Sequence, residues 1–170
     1  MTKITSPDIL IQSLTQKLTE FLPKKNITDP VMVGIHTGGV WVAKQLHDNL
    51  QISEPLASLN ISFYRDDFSR IGVHPQVTPT TLPNEIENRH IILVDDVLQT
   101  GRTIRAAMNE LFDYGRPASI TLVCLLERDG RELPIRADIV GQQLTLSDDI
   151  QVKLTGPEPL AFDIKNTTLS

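Results

Sequence analysis

"IILVDDVLQTGRT", residues 91–103, runs four apolar residues straight into two adjacent carboxylates, Asp95 and Asp96, and then into a loop bearing Thr100, Gly101 and Thr103. A short apolar run bounded by turn residues reads as a buried strand, here "HIILV" over 90–94. Beyond the loop, Ile104, Ala107, Met108, Leu111 and Phe112 recur at helical spacing, with Gly115 where a helix of that length stops. "SITLVCLL" (119–126) is a second buried strand. Strand, helix and strand over about 35 residues make one right-handed βαβ unit, whose strands are parallel.

The same alternation continues upstream. Ser6, Pro7 and Asp8 form a helix start: a capping hydroxyl, a proline in the first turn and an acid at the positive end. Leu10, Ile11, Leu14, Leu18, Phe21 and Leu22 follow at helical spacing, and Pro23 is expected to close that helix. "VMVGI" (31–35) reads as a buried strand, "HTGG" (36–39) as a glycine-bearing loop and "VWVAKQLHDNL" (40–50) as a helix. "ASLNISFY" (57–64) alternates in period two and predicts a half-buried strand. Residues 65–88 have no period and carry Pro75, Pro79 and Pro83; a stretch of this length without structure suggests a lid. From 127 to 170 the pattern is mixed, with strand-like "ADIVG" and "IQVKL", and a small appended subdomain is expected there. The fold class is α/β, a single domain with a central, mostly parallel sheet flanked by helices.

Composition narrows the functional classes. At 170 residues and 40% apolar content the chain suits one domain with a sizeable core and is neither disordered nor membrane-like in character. No apolar run approaches the roughly 20 residues of a membrane span, and the first residues lack the layout of a secretion signal. The lone cysteine, Cys124, lies inside an apolar run; a core thiol in a reducing cytoplasm is the expectation. With a net charge of −5, nucleic-acid binding would need a local basic patch, and "PDILIQSLTQKLTEFL" carries only Lys17, against Asp8 and Glu20. RNA binding is therefore not expected of that helix.

Ligands of open parallel sheets bind beyond the carboxyl ends of the strands, where Asp95 and Asp96 stand. Two like charges side by side need a partner rich in donors or positive charge, and a sugar diol or a hydrated Mg²⁺ meets that need. Gly101 lets the backbone turn its N–H groups toward an anion at the positive end of the next helix, and Thr100 and Thr103 add hydroxyls. A diol site one sugar's length from a phosphate cradle fits a ribose 5-phosphate. Taken singly, Asp96 could cap a turn and Thr103 a helix; the combination points to function. No G-x-x-x-x-G-K-[ST] loop or G-x-G-x-x-G fingerprint is present, which excludes the commonest nucleotide-binding motifs.

The stretch resembles the thirteen-residue phosphoribosyl diphosphate (PRPP) motif of type I phosphoribosyltransferases. That resemblance implies their fold, with a lid at about 65–88 and a C-terminal hood at about 127–170. It implies Asp95 and Asp96 on the ribose hydroxyls, directly or through Mg²⁺, and Val97, Leu98, Gln99, Thr100, Gly101, Arg102 and Thr103 around the 5-phosphate. It makes His36, Thr37, Gly38 and Gly39 a pyrophosphate loop, and Arg65, Asp66 and Arg70 lid residues. "FYRDDFSRIG" and "ERDGRELPIRADIVG" are similar to the PyrR family, uracil phosphoribosyltransferases that also regulate pyrimidine operons. PRPP, uracil and UMP are then the expected ligands, a homodimer or larger homo-oligomer the expected assembly, and Arg136, Asp138 and Val140 the expected base-binding residues. PyrR proteins commonly have Thr-Arg-Gly in the pyrophosphate loop; here it is Thr37-Gly38-Gly39, so backbone N–H donors at Gly38 are expected there, with His36, Arg65 or Arg70 as candidate substitutes for the missing cation. Arg128, Arg131 and Arg136 could serve a ligand or pair with Glu127, Asp129, Glu132 and Asp138. A UMP-sensing regulator of low turnover and an enzyme for another base such as orotate stand as alternatives.

Overall fold

A computed structural model describes residues 2–61, 80–83 and 85–169. In chain order its elements are α1 (Pro7–Lys24), β1 (Val31–Ile35), α2 (Gly38–Leu50), β2 (Ala57–Leu59), β3 (His90–Leu98), α3 (Arg102–Asp113), β4 (Ser119–Arg128), β5 (Ile139–Leu144), β6 (Ile150–Thr155) and β7 (Ala161–Asn166). The first five strands form one parallel sheet in the order β2-β1-β3-β4-β5, and β6 and β7 form an antiparallel pair.

The apolar runs dictate the layering. Every residue of β1 is buried, which demands cover on both faces. α1 and α2 cover one face: Leu10, Leu14, Leu18, Val42 and Leu46 pack with Met32, Ile92, Val94, Val123 and Leu125. α3 covers the other: Ile104, Ala107 and Leu111 pack with Val31, Val33, Ile91, Leu93, Leu122 and Cys124. The alternation of strand side chains between the two cores is the period-two rule at work.

Several boundaries differ from the sequence expectation. Pro23 lies inside α1, one residue before its end, and the Ser6 side chain makes no cap bond. β2 spans 57–59 rather than 57–64; the Asn60 amide donates to Thr80 Oγ1 at 3.0 Å, and Thr80 donates to Glu110 Oε1 at 2.8 Å, so a side-chain relay replaces the ladder. Ser62, Phe63 and Tyr64 lie outside the described residues. So do Arg65, Asp66 and Arg70, the expected lid residues. The C-terminal end of that expected lid is packed down: Thr81 bridges Ser58, and Ile86 is wholly buried. β3 continues through both aspartates to Leu98. The stretch 127–170 is divided: the "IVG" of "ADIVG" opens β5 and joins the main sheet, and β6–β7 stands apart, tied to the α1/α2 core through Leu154 and Leu160.

Candidate active site

β1 and β3 are neighbours, yet the connection from β1 leads away to β2 on its other side. Their carboxyl ends therefore flank the point where strand order reverses, the usual crevice for a ligand in such sheets. β1 ends at Ile35 and hands over through residues 36–37 to α2 at Gly38; β3 carries the carboxylate pair, Asp95 and Asp96, near its end at Leu98.

The chain closes tightly here. A Cβ on Gly39 would lie 2.6 Å from the Val94 carbonyl oxygen and 3.1 Å from Asp95 Cα, and one on Gly38 would lie 2.8 Å from Asp96 Cγ. Both glycines are required by proximity to β3, which brings the first turn of α2 onto the aspartates. Asp95 is buried and Asp96 half-buried. Each carboxylate uses Oδ1 to accept the next residue's amide: Asp96 N–H on Asp95 and Val97 N–H on Asp96, both at 2.9 Å. Val94 and Val97 pack in one core while Leu93 and Leu98 pack in the other, so the side-chain alternation slips once across the pair. Val97 and Leu98 are thus packing residues that carry the loop.

The loop turns at Gly101, whose φ of 92° lies in the left-handed region that favours glycine. Gly101 is the N-cap of α3, and Thr103 sits inside the first turn rather than capping it. Thr100 Oγ1 accepts the Arg102 amide at 3.2 Å, an internal brace. The amides of the first turn have no partner earlier in their own helix, and with its positive end they offer an anion site. Gln99 and Arg102 are exposed; Arg102 Nε donates to Glu132 Oε2 at 2.8 Å.

His36 is half-buried, its amide bonded to the Leu59 carbonyl at 2.9 Å, and burial lowers its pKa below 6.5. The imidazole is consequently neutral at neutral pH and brings no standing cation to the loop. Thr37 is exposed and accepts the Val40 amide on its carbonyl.

The expected base-binding trio does not converge. Arg136 lines a cavity of about 280 Å³ beside Gln99, Glu127, Arg128 and Gln143. Asp138 and Val140 line a different one, about 640 Å³, between α1 and β5. Asp138 is a splice between strands: Oδ2 accepts the Leu122 amide at 2.8 Å, and its own amide donates to the Leu122 carbonyl at 2.9 Å. Val140 receives Lys17 Nζ on its carbonyl at 2.7 Å.

The acids expected to pair with the nearby arginines are otherwise engaged. Glu127 accepts from the Ala137 amide and Gln143, Asp129 from the Leu146 amide, and Glu132 from Arg102. Arg128 instead donates to the carbonyls of Ile150 and Ser147, and no ion pair of Arg128, Arg131 or Arg136 with these acids occurs among the described residues. Glu132 was not singled out from sequence as a site residue, and no local pattern announces it; the contact spans 30 residues.

The phosphoribosyl transferase domain family matches residues 7–161. The chain is 59% identical over 160 residues to the Bifunctional protein PyrR of Nitrosococcus oceani, covering 93% of this chain and 90% of that one. It is 57% identical over 162 residues to that of Pseudomonas aeruginosa, covering 95% of each. Among solved structures, the hypoxanthine phosphoribosyltransferase of Staphylococcus aureus superposes with a TM-score of 0.65 at 22% identity, over 85% of this chain and 78% of that one. That of Trypanosoma cruzi gives 0.66 at 19% identity, over 88% and 81%. The structural matches establish the fold; the sequence matches, spanning nearly the whole chain, establish that it belongs to the PyrR family of phosphoribosyl transferases.

Proposed function

We propose that the protein transfers ribose 5-phosphate from PRPP to uracil, forming UMP and releasing diphosphate. The observation that carries this reading is the meeting of three parts at one switch point: the Asp95–Asp96 pair, the amide-lined start of α3 behind Gly101, and the Gly38–Gly39 turn of α2. Full-length similarity to relatives named PyrR favours this over the orotate alternative and the low-turnover sensor.

The α3 N-terminus receives the 5-phosphate, and Asp95 and Asp96 accept hydrogen bonds from the ribose hydroxyls. As the C1–O bond to diphosphate breaks, positive charge develops on the ribose ring, and the two fixed carboxylates favour it. The positive end of α2, beside the carboxylate pair, is the donor for the departing anion. Placement and electrostatics therefore do the work, with no covalent step asked of the protein.

The donor set fits Mg²⁺: the adjacent carboxylates of Asp95 and Asp96 supply hard oxygen ligands near the end of β3. Asp95 and Asp96 would hold it, and when bound it supplies charge neutralisation to the diphosphate. A cytoplasmic setting fits the buried, unbridged Cys124.

The test is incubation with PRPP, Mg²⁺ and uracil, with orotate and hypoxanthine in parallel, and product analysis. UMP should form with uracil alone. An Asp95→Asn, Asp96→Asn double variant that kept full PRPP-dependent turnover would sink the assignment.

A further inference from the structure

The segment 129–136 has no part in the chemistry above, yet it grips the phosphate loop at several points. The amides of Glu132 and Leu133 both donate to the Thr100 carbonyl, at 3.1 and 3.2 Å. The Glu132 carboxylate takes Arg102 Nε at 2.8 Å. A Cβ on Gly101 would stand 3.4 Å from Leu133 Cβ and 3.3 Å from Ile135 Cβ, so the loop rests directly on these side chains. Gly130, at φ 106°, turns the segment against Gln99, whose Nε2 lies 3.1 Å from where a Cβ would be. The Ile135 amide donates to the Leu133 carbonyl at 2.7 Å and stiffens the grip.

A trans peptide unit is planar, with its C=O and N–H pointing in opposite directions. The Thr100–Gly101 bond is not among the cis bonds of the chain. Two donors on the Thr100 carbonyl therefore aim the Gly101 N–H away from the 129–136 segment. That is the side from which a phosphate can approach, because the other is filled by Leu133 and Ile135. The Arg102 side chain, next along, is drawn toward Glu132.

We propose that the 129–136 segment is a clasp that presets the 5-phosphate cradle, and that Glu132 is its positioning residue. The proposal rests on the phosphoribosyl reading and deepens it: substrate affinity at the phosphate end is set by a segment that never touches the sugar. Holding the donor in place before binding removes an ordering cost that the ligand would otherwise meet.

The experiment is calorimetric titration of ribose 5-phosphate, PRPP and inorganic diphosphate into the full chain and into Glu132→Ala, with kcat and KM for both substrates. Glu132 is exposed, so the variant should fold, and it retains both backbone amides. Ribose 5-phosphate and PRPP should weaken by a common factor of about two to five, the range an exposed ion pair commands. Diphosphate affinity, uracil KM and kcat should hold, and Glu132→Asp should recover part of the loss. Unchanged ribose 5-phosphate affinity overturns Glu132 as the positioning residue, as does equal weakening of diphosphate, which marks a general disturbance. If the unaltered protein binds ribose 5-phosphate and the variant loses affinity, yet no UMP forms, the transfer reading fails and the clasp stands. No binding of ribose 5-phosphate by the unaltered protein overturns both.

Discussion

The Cβ that residue 38 lacks would stand 2.8 Å from Cγ of Asp96, so the start of α2 and the second carboxylate of β3 claim the same space. Glycine resolves the conflict by leaving it to the carboxylate, which then lies at the positive end of a helix.

Gly38→Ala forces the Asp96 carboxylate aside. What moves is the end of a side chain, so stability should change little. The site geometry should suffer more, because a displacement near 1 Å can cost about a hundredfold in rate. A fall of about ten- to a hundredfold in kcat/KM for PRPP, with an unchanged urea midpoint, is the expected result of steady-state kinetics and denaturation on one preparation.

Gly39→Ala should behave in the opposite way. Its Cβ would meet main chain, the Val94 carbonyl oxygen at 2.6 Å, in the most central strand. Overpacking against backbone costs about 1–3 kcal/mol. The urea midpoint should drop at constant m-value.

His36 makes stability depend on pH. Burial lowers its pKa in the folded chain relative to the ordinary 6.5, so below that value the unfolded chain binds more protons than the native one. The contribution is fully present above 6.5 and is lost as pH falls toward the native pKa. Denaturation midpoints followed across this window should decline on acidification, and His36→Asn should flatten the decline. An unaltered slope in the variant would assign the effect elsewhere.

Cys124 should be inert. Burial raises its pKa well above the usual thiol value, and the charges of Asp95, Glu127 and Asp96 raise it further. The thiolate is the reactive form, so the native protein should resist a thiol reagent at mildly alkaline pH and take one label after denaturation, read by mass. Rapid labelling of the native chain would contradict the burial seen here.

Local pattern was enough for much of this molecule. The apolar runs 31–35, 90–94 and 119–126 can only be strands covered on both faces, and the helical stripe after Gly101 forces parallel pairing. The carboxylate pair and the glycine turn of the proposed site were legible because each is contiguous in sequence. Strand order, the seating of Gly38 on Asp96, the placing of Arg136 and Asp138 in different cavities, and the ion pair of Glu132 with Arg102 were not legible. Each depends on contacts between residues tens of positions apart, and side-chain periodicity reports which face of an element is apolar but not which distant segment will cover it. "ERDGRELPIRADIVG" marked the segment by its similarity to PyrR; its seat against the carbonyl of Thr100 is decided only by the folded sheet.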